Sequence, residues 1–464
     1  MRDDLGHIDA GYRIAIVTLD AHAAGPAARV LPRMARDFPG LSVSVHAAAE
    51  WAETPHALDA AREAVRRADI VIVTLLFLEE HISAILPDLK ARRDHCDAMI
   101  GIVADQQIVN LTRMGSLDMA TPASGVMAML KKLKPKAGKR ASGEGHMKML
   151  RRIPRILRYL PGKAQDLRGY FLTMQYWLGG SDDNVEQMLR LAISRYSSQR
   201  GWRGAAVADP IEYPEVGLYH PDLADHRITT EAAELPRPEG ARATVGLVIL
   251  RSYALASDTA HYDAVIRSFE AAGLACVPVF SGGLDARPAM ERYFRDADGH
   301  VSVDAIVSLT GFSLVGGPAY NDSDAAVTTL GGFDVPYLSA HPLEFQTLGQ
   351  WSDSRTGLGP VETTMLIALP EIDGATNPTV FAGRHGADGC AGCAHRCRNG
   401  SEVKAMAPCH ERIAALTERA GRLARLRRQE AAERKAAIVL FGFPPNAGAI
   451  GTAAYLSVFE SLFN

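Results

Sequence analysis

The chain has 464 residues, of which 47% are hydrophobic and 22% are charged, a composition typical of a soluble globular protein with two or three domains. Its formal net charge of −3 argues against a dedicated nucleic-acid binder, so we expect no nucleic-acid partner. No stretch approaches the roughly 18 uninterrupted apolar residues of a transmembrane segment, and the polar start MRDDLGHIDAGYR is unlike a secretory signal. We therefore expect a cytoplasmic protein.

The first 135 residues alternate between strand and helix patterns. Short β-branched runs are typical of buried strands, and they lie at 13–19, 41–46, 69–77 and 98–104. Helical patterns separate these runs, near 26–37, 57–68 and 79–93. Strict alternation of strand and helix predicts an α/β domain over 1–135, with a doubly wound, mostly parallel sheet.

Residues 136–240 are predicted to form a basic linker, a helical segment and an irregular connection. From Lys131 to Arg158 the sequence has eleven Lys or Arg residues against one acid. This charge is typical of an exposed linker, or of a contact with an anionic partner such as an acidic protein, a carboxylate-bearing ligand or lipid headgroups, so peripheral association with a membrane stays open. Residues 146–200 look mainly helical, with a break at Gly179-Gly180 and Ser181 as the next N-cap.

A second α/β series is predicted over 241–408. Its strand patterns lie at 243–250, 274–280, 303–310 and 335–340, and a helix is expected from about 258 to 272. Residues 409–464 are predicted to form a long helix at about 410–436, with Ile413, Leu416, Ala420 and Leu423 as its packed stripe. A strand over 436–443 and an amphipathic helix follow, so we expect the chain to end partway into a further α/β unit.

Two segments of the second series could meet a ligand. His261, Tyr262 and Asp263 follow the strand at 243–250, on the edge of a doubly wound sheet where ligands bind, although helix capping explains the acid equally well. The run LTGFSLVGGPAYND at 309–322 joins glycines to a strand end. It could let the backbone approach a ligand, or form a simple tight turn.

The densest chemical signal lies between Cys390 and His410, where the sequence reads CAGCAHRCRNGSEVKAMAPCH and holds four of the six cysteines. The spacing C-x2-C-x3-C-x11-C allows thiolates to converge on one metal. We predict Cys390, Cys393, Cys397 and Cys409 as ligands of a 4Fe-4S cluster or of zinc, with His385, His395 and His410 as substitutes. The alternative is a loop of unligated thiols. No open coordination position is implied, so a structural or redox-sensing role is favoured over catalysis.

The phosphate-binding pattern G-x-x-x-x-G-K-[ST] is absent from the sequence, so ATP is not bound by a P-loop in this chain.

Long stretches resemble the porphyrin-binding H subunits of magnesium chelatase. They include MKMLRRIPRILRYLPGKAQDLRGYFLTMQYWLGGSDDN at 147–184, SLTGFSLVGGPAYND, VPYLSAHPLEFQTLGQW and FGFPPNAGAIGTAAYLSVFESLFN. The resemblance implies binding of protoporphyrin IX and insertion of Mg²⁺ for bacteriochlorophyll synthesis, a ligase reaction that forms nitrogen–metal bonds. It also implies AAA+ partner subunits that hydrolyse ATP.

In these subunits the catalytic acids and histidines lie beyond the equivalent of residue 464, so we assign no catalytic residue. The residues that contact porphyrin stay unassigned, and we expect the chain to be inactive alone. Two alternatives stay open: a cobaltochelatase-like large subunit, and a non-catalytic porphyrin carrier or docking module with a redox-sensing metal cluster.

Overall fold

The computed structural model describes residues 11–19, 24–51, 56–120, 153–317, 320–385, 389–393, 405–439 and 458–463. The chain divides into two compact units, Met1–Ala424 and Arg425–Asn464. The domain boundaries predicted at 135 and 240 fall inside the first unit and stay predictions.

The first part of the larger unit is a sheet of six strands with four helices. Its elements, in chain order, are β1 Arg13–Thr18, α1 Ala24–Asp37, β2 Ser42–Ala47, α2 Ala57–Arg67, β3 Ile70–Thr74, α3 Glu79–Arg92, β4 Ala98–Ile102, α4 Gln106–Val109, β5 Arg113–Met114 and β6 Leu117–Asp118. The strand order is β2-β1-β3-β4-β5-β6. The first four strands are parallel, and β5 and β6 add an antiparallel edge.

Both faces of this sheet are buried, as the β-branched runs predict. Along β1, Ile14 and Ile16 join one apolar core, whereas Ala15 and Val17 join the core on the opposite face. The side chains of successive strand residues alternate between faces, so a strand covered by helices on both sides must be apolar throughout. The predicted doubly wound parallel sheet is confirmed.

A helical pair packs against the first sheet. A short helical turn at 153–157 precedes α5 Lys163–Gly179 and α6 Asp182–Tyr196. Gly180 ends α5 with a φ of 60°, and the Ser181 hydroxyl accepts a hydrogen bond from the Asn184 amide at 3.3 Å. The predicted break and N-cap are therefore confirmed, whereas most of the predicted basic linker lies outside the described residues.

The second part of the unit contains an eight-stranded sheet with helices on both faces, and two short strands beside it. Its elements are β7 Val216–Tyr219, β8 Ile228–Thr229, β9 Ala243–Leu250, α7 Arg251–Leu255, α8 Ala260–Ala271, β10 Leu274–Ser281, α9 Arg287–Tyr293, β11 Ala305–Ser308, β12 Gly316–Gly317, β13 Tyr320–Asn321, α10 Ser323–Phe333, β14 Tyr337–Thr347, α11 Leu348–Asp353, α12 (Pro360–Glu362, a π-helical stretch Thr363–Ala368, and Leu369–Ile372), β15 Thr376–Arg384, β16 Ala407–Pro408 and α13 His410–Arg428.

The parallel centre of this sheet has the order β10-β9-β11-β14-β15, the same winding as β2-β1-β3-β4 in the first sheet. In each sheet the second strand of the series lies on one side of the first strand, and the later strands lie on its other side. The direction of winding therefore reverses at β1 and at β9. Ligands of open α/β sheets bind at the carboxyl ends of the strands next to such a reversal. The predicted second α/β domain is confirmed in its fold class.

Three sequence expectations need correction. The antiparallel strands β7 and β8 lie in the stretch predicted to be irregular. The predicted helix over 410–436 ends at Arg428, because its buried face ends at Ala424 and no further packing supports another turn among the described residues. Residues 436–439 form no strand and are exposed, while 440–443 lie outside the described residues. In the smaller unit, Val458–Phe463 forms a last helix, α14.

Candidate functional site

The described part of the cysteine segment is held at the carboxyl end of the second sheet. Cys390 and Cys409 pack against the same apolar cluster, formed by Leu343, Leu348 and Val380. The Sγ atom of Cys390 lies 3.7 Å from the carbonyl oxygen of Leu348, at the start of α11. Two thiols that are 19 positions apart in the sequence are thus brought to one patch of the fold.

Glycines allow this loop to approach α11 closely. A Cβ atom added to Gly349 would lie 2.7 Å from the backbone oxygen of Gly389, and one added to Gly392 would overlap the Ser352 hydroxyl. Real Cβ atoms do not come so close to other atoms. The loop can therefore lie this close to α11 only with glycine at 349, whereas a side chain at 392 would require the Ser352 side chain to move.

The other end of the segment is fixed by backbone hydrogen bonds. Strand β16 pairs antiparallel with Ala382 and Gly383 of β15, and the Cys409 amide donates to the Phe381 carbonyl at 2.9 Å. One residue before β16, the Met406 amide donates to the Asp258 carboxylate at 3.0 Å. Cys409 then leads directly into α13.

These features fit a metal-binding loop but do not test the four-cysteine site. Cys390, Cys393 and Cys409 are half-buried, whereas Cys397 and His395 lie outside the described residues. Within the described residues, the three thiols do not all come within 4.8 Å of one another. The ligand set stays a prediction.

His385 is the histidine substitute that the structure supports best. Its Nδ1 atom is buried and has no hydrogen-bond partner among the described residues. Burial also lowers the pKa of the imidazole, which favours the neutral form that binds metals. The residue follows Arg384 at the end of β15, where the chain enters the cysteine loop.

A buried charged cluster lies next to this loop. The Nη2 atom of Arg384 and the Oε2 atom of Glu344 are 3.2 Å apart without hydrogen-bond alignment, and Tyr253 donates its hydroxyl to the same carboxylate. Burial raises the pKa of Asp258 to about 6, although the Met406 amide and the Arg384 charge act in the opposite direction. Buried acids and a buried arginine with a shifted carboxyl pKa are typical of functional sites and also of structural ion pairs.

The cluster lies where the carboxyl edges of the two sheets approach each other. Arg29, on the helix after β1, donates to the Ala256 carbonyl at 2.6 Å and to the Asp182 carboxylate at 2.8 Å. The charge of Glu50, which follows β2, contributes to raising the pKa of Arg384. Arg29, Glu50 and Arg384 each follow or end a parallel strand, so the carboxyl edges of the two sheets share one region of the unit.

A small open cleft, with a cavity volume of about 20 Å³, lies over the carboxyl ends of β9, β10 and β11. Hydroxyl groups line it together with apolar side chains, and the residues that carry them are Ser281, Ser308, Thr310 and Ser313. The Ser281 hydroxyl is buried without a partner among the described residues. The predicted ligand-approach run over 309–322 contributes one wall, so its geometry suits a polar group of a ligand.

Of the other predicted ligand contacts, His261 and Tyr262 are buried in the core and Asp263 is half-buried. His261 is fully buried among Tyr253, Tyr262 and Phe381, and burial together with the Arg384 charge lowers its pKa to about 3. Asp263 accepts hydrogen bonds from Tyr219 at 2.5 Å and from Arg227 at 2.9 Å. These contacts favour structural roles for the three residues, although Asp263 binds the side chains of Tyr219 and Arg227 and does not cap the helix.

Comparison with known proteins decides the family. Residues 174–464 match the model described as CobN/Magnesium Chelatase, and residues 13–171 match one described as a domain of unknown function, DUF3479. The chain belongs to the CobN/magnesium chelatase family.

Among its relatives in this family, the magnesium-chelatase H subunit of Cereibacter sphaeroides is 66% identical over 458 residues, 98% of this chain and 38% of the relative. The corresponding H subunit of Rhodobacter capsulatus is 62% identical over 461 residues, 99% of this chain and 38% of the relative. The aerobic cobaltochelatase protein CobN of Pseudomonas aeruginosa is 29% identical over 298 residues, 62% of this chain and 22% of the relative. The chain thus spans 38% of the length of the two magnesium-chelatase relatives.

Sequence reasoning missed Asp258, Glu344 and Arg384 in this family member. Glu344 lies near the end of β14, Arg384 ends β15, and Asp258 lies in the loop between α7 and α8, so the three follow no spacing motif. Their one shared signal is a position on the carboxyl side of a parallel strand. Within the described residues, no helix is long and apolar enough to cross a membrane.

Proposed function

We propose that the chain is the N-terminal part of a magnesium chelatase H subunit that binds protoporphyrin IX for ATP-dependent Mg²⁺ insertion in bacteriochlorophyll synthesis. The observation that carries the proposal is its identity of 66% and 62% to two magnesium-chelatase H subunits, against 29% to a cobaltochelatase protein. The carboxyl edges of the two sheets lie close together, at the positions where α/β folds bind ligands, and this supports the proposal.

The proposed reaction divides the work between proteins. Insertion requires loss of the two pyrrole N–H protons and of water from Mg²⁺, which holds its waters tightly. AAA+ partner subunits supply ATP hydrolysis, and the catalytic acids and histidines belong to a region beyond this chain. We therefore expect a cytoplasmic protein that contributes to the porphyrin site and inserts no magnesium alone.

A fluorescence titration with protoporphyrin IX tests the porphyrin site. We expect saturable binding near one equivalent by the 464-residue chain. A protein without family relationship, at equal concentration, controls for non-specific uptake of the apolar macrocycle. Non-saturable uptake that matches this control would contradict a porphyrin site in this chain.

An insertion assay then separates the role of subunit part from that of a carrier. We expect no magnesium porphyrin when the chain is mixed with the AAA+ subunits, ATP and Mg²⁺, and product when a whole H subunit replaces the chain. If adding the chain accelerates porphyrin delivery to the whole protein, the result would favour the alternative that the chain is a non-catalytic porphyrin carrier. Insertion of Co²⁺ in place of Mg²⁺ by the whole protein would favour the cobaltochelatase alternative.

We further propose that Cys390, Cys393, Cys397 and Cys409 hold a 4Fe-4S cluster or zinc, with His385 as the first substitute. The shared apolar patch of Cys390 and Cys409 and the unpaired Nδ1 of His385 among the described residues support this. A bound four-iron cluster supplies a redox-active centre, whereas zinc supplies a structural crosslink.

Metal analysis of the anaerobically purified chain tests the site. Serine at each of the four positions should remove most of the bound iron or zinc, whereas Cys96→Ala, at a cysteine buried in the first sheet's core, should leave the metal content unchanged. Unchanged metal in all four serine variants would eliminate the site, and loss in His385→Ala would identify the substitute ligand.

A further inference from the structure

A surface segment that joins the short helical turn at 153–157 to the start of α5 presents apolar side chains to solvent. In this segment, residues 155–163, called the 155–163 turn below, the exposed fractions of Ile156, Tyr159 and Leu160 are 66%, 83% and 49%. Single exposed apolar residues are common on protein surfaces, but three within five positions form a patch. Exposed apolar patches are typical of contact surfaces.

Internal contacts fix the shape of the turn. Ile153 and Leu157 are buried against Ala164 and Leu167. The side-chain amide of Gln165 donates to the carbonyl oxygens of Leu157, Arg158 and Leu160, at 2.9, 3.2 and 2.6 Å. The three apolar side chains therefore point outward from a pinned backbone.

Cationic side chains lie on the same turn as the apolar tip, which is formed by Ile156, Tyr159 and Leu160. Arg155, Arg158 and Lys163 are exposed on the same turn. Arg155 pairs with Glu212 at 3.0 Å, whereas neither Arg158 nor Lys163 forms an ion pair with any residue that the structure describes. The turn thus combines an apolar tip with cations that are free to meet an anionic surface.

We propose that the 155–163 turn binds an anionic lipid surface, with the apolar tip inserted among the headgroups and the cations against lipid phosphates. Shallow insertion into a bilayer needs a few apolar side chains and nearby cations. Tyrosine suits this depth, because its ring is apolar and its hydroxyl meets water.

Vesicle sedimentation tests the proposal with the full 464-residue chain. We expect binding to phosphatidylglycerol-containing vesicles, much weaker binding to pure phosphatidylcholine, and release at high salt, because added ions screen the attraction of the cations to the lipid. This inference is independent of the proposed function, since the same chain can be titrated with porphyrin without lipid. Absence of sedimentation with the anionic vesicles would overturn it.

Variants locate the surface. The triple variant Ile156→Ser/Tyr159→Ser/Leu160→Ser, and separately Arg158→Glu/Lys163→Glu, should weaken binding at least about tenfold. The matched controls Val327→Ser/Val361→Ser and Lys90→Glu change exposed residues elsewhere and should leave binding unchanged. Equal loss in the controls, or retention by both turn variants, would overturn the proposal. If the turn variants lose affinity for the AAA+ subunits while keeping vesicle binding, the surface is a protein contact instead.

Discussion

The backbone amide of Met406 donates a 3.0 Å hydrogen bond to the buried carboxylate of Asp258, 148 positions earlier in the chain. This bond joins the loop that follows β9 and α7 to the strand that leads into Cys409. It places a titratable group at the base of the cysteine segment. The stability of that region should therefore depend on the charge of Asp258.

Asp258 should make folding less favourable as pH rises. Burial raises its pKa from 3.8 to about 6, so between these values the unfolded chain binds fewer protons than the folded chain. Folded stability falls with pH across this window, by about 3 kcal/mol in all. We expect Asp258→Asn to remove this dependence while its amide oxygen still accepts from Met406.

Thermal unfolding of the wild type and Asp258→Asn at about pH 4.5 and about pH 7.5 measures the effect. The free energy of unfolding of the variant, relative to that of the wild type, should rise by about 2 kcal/mol from the lower pH to the higher, because only the wild type carries a buried charge at the higher pH. An equal difference at both pH values would show that Asp258 does not titrate in this range.

Arg384→Met should be strongly destabilising. It leaves Glu344 buried without its cation, and breaking a buried pair from one side typically costs about 3–5 kcal/mol. Arg422→Met, which breaks the exposed pair with Glu418 on α13, should cost less than about 1 kcal/mol. Both values can be measured by chemical denaturation monitored by tryptophan fluorescence.

The double variant Arg384→Met/Glu344→Gln distinguishes the cause of the loss. Because it removes the uncompensated charge, it should recover a large part of the stability that Arg384→Met loses. Failure to recover would indicate that the arginine contributes through packing rather than through its charge.

Ser181→Ala should destabilise the helical pair by about 1 kcal/mol, because the Ser181 hydroxyl caps α6 and is buried. Ser83→Ala is a suitable control, since that serine is inside α3 and its hydroxyl donates to Glu79 on the exposed face. The control should change the unfolding midpoint little. Equal losses in the two variants would contradict the assigned cap.

Apolar runs and helical spacing in the sequence predicted many strands and helices of this fold, because burial of nearby residues determines these elements. The strand at 243–250 coincides with β9, since a strand covered on both faces needs a continuous apolar run. Ile413, Leu416 and Ala420 are buried at the predicted helical spacing. The short strands β7 and β8 escaped prediction because pairing stabilises them rather than their own composition: β7 pairs with β10, more distant in the chain, and β8 pairs with β7.

The site was less accessible to sequence reasoning. Cysteine spacing identified the segment, yet the patch shared by Cys390 and Cys409 depends on β14, β15 and α11. The pairing of Glu344 with Arg384 arises from neighbouring strands whose register shifts near this point, and no spacing rule encodes that shift. Long-range contacts of this kind become visible only in the folded chain.

Gly349→Ala should displace the cysteine loop. The new methyl group would lie 2.7 Å from the Gly389 carbonyl oxygen. Because that oxygen belongs to the backbone, no side-chain rotation can relieve the clash. Alanine is a better helix former than glycine at this position in α11, so a loss of stability would report the clash. We expect lower stability together with reduced bound metal.

Gly331→Ala is the matched control, because Gly331 also lies within a helix, α10, and a Cβ atom there meets no atom within 4 Å. It should keep both the stability and the metal content of the wild type. If Gly349→Ala also keeps its metal, the loop does not depend on this contact, and the position of Cys390 beside α11 is not required for metal binding.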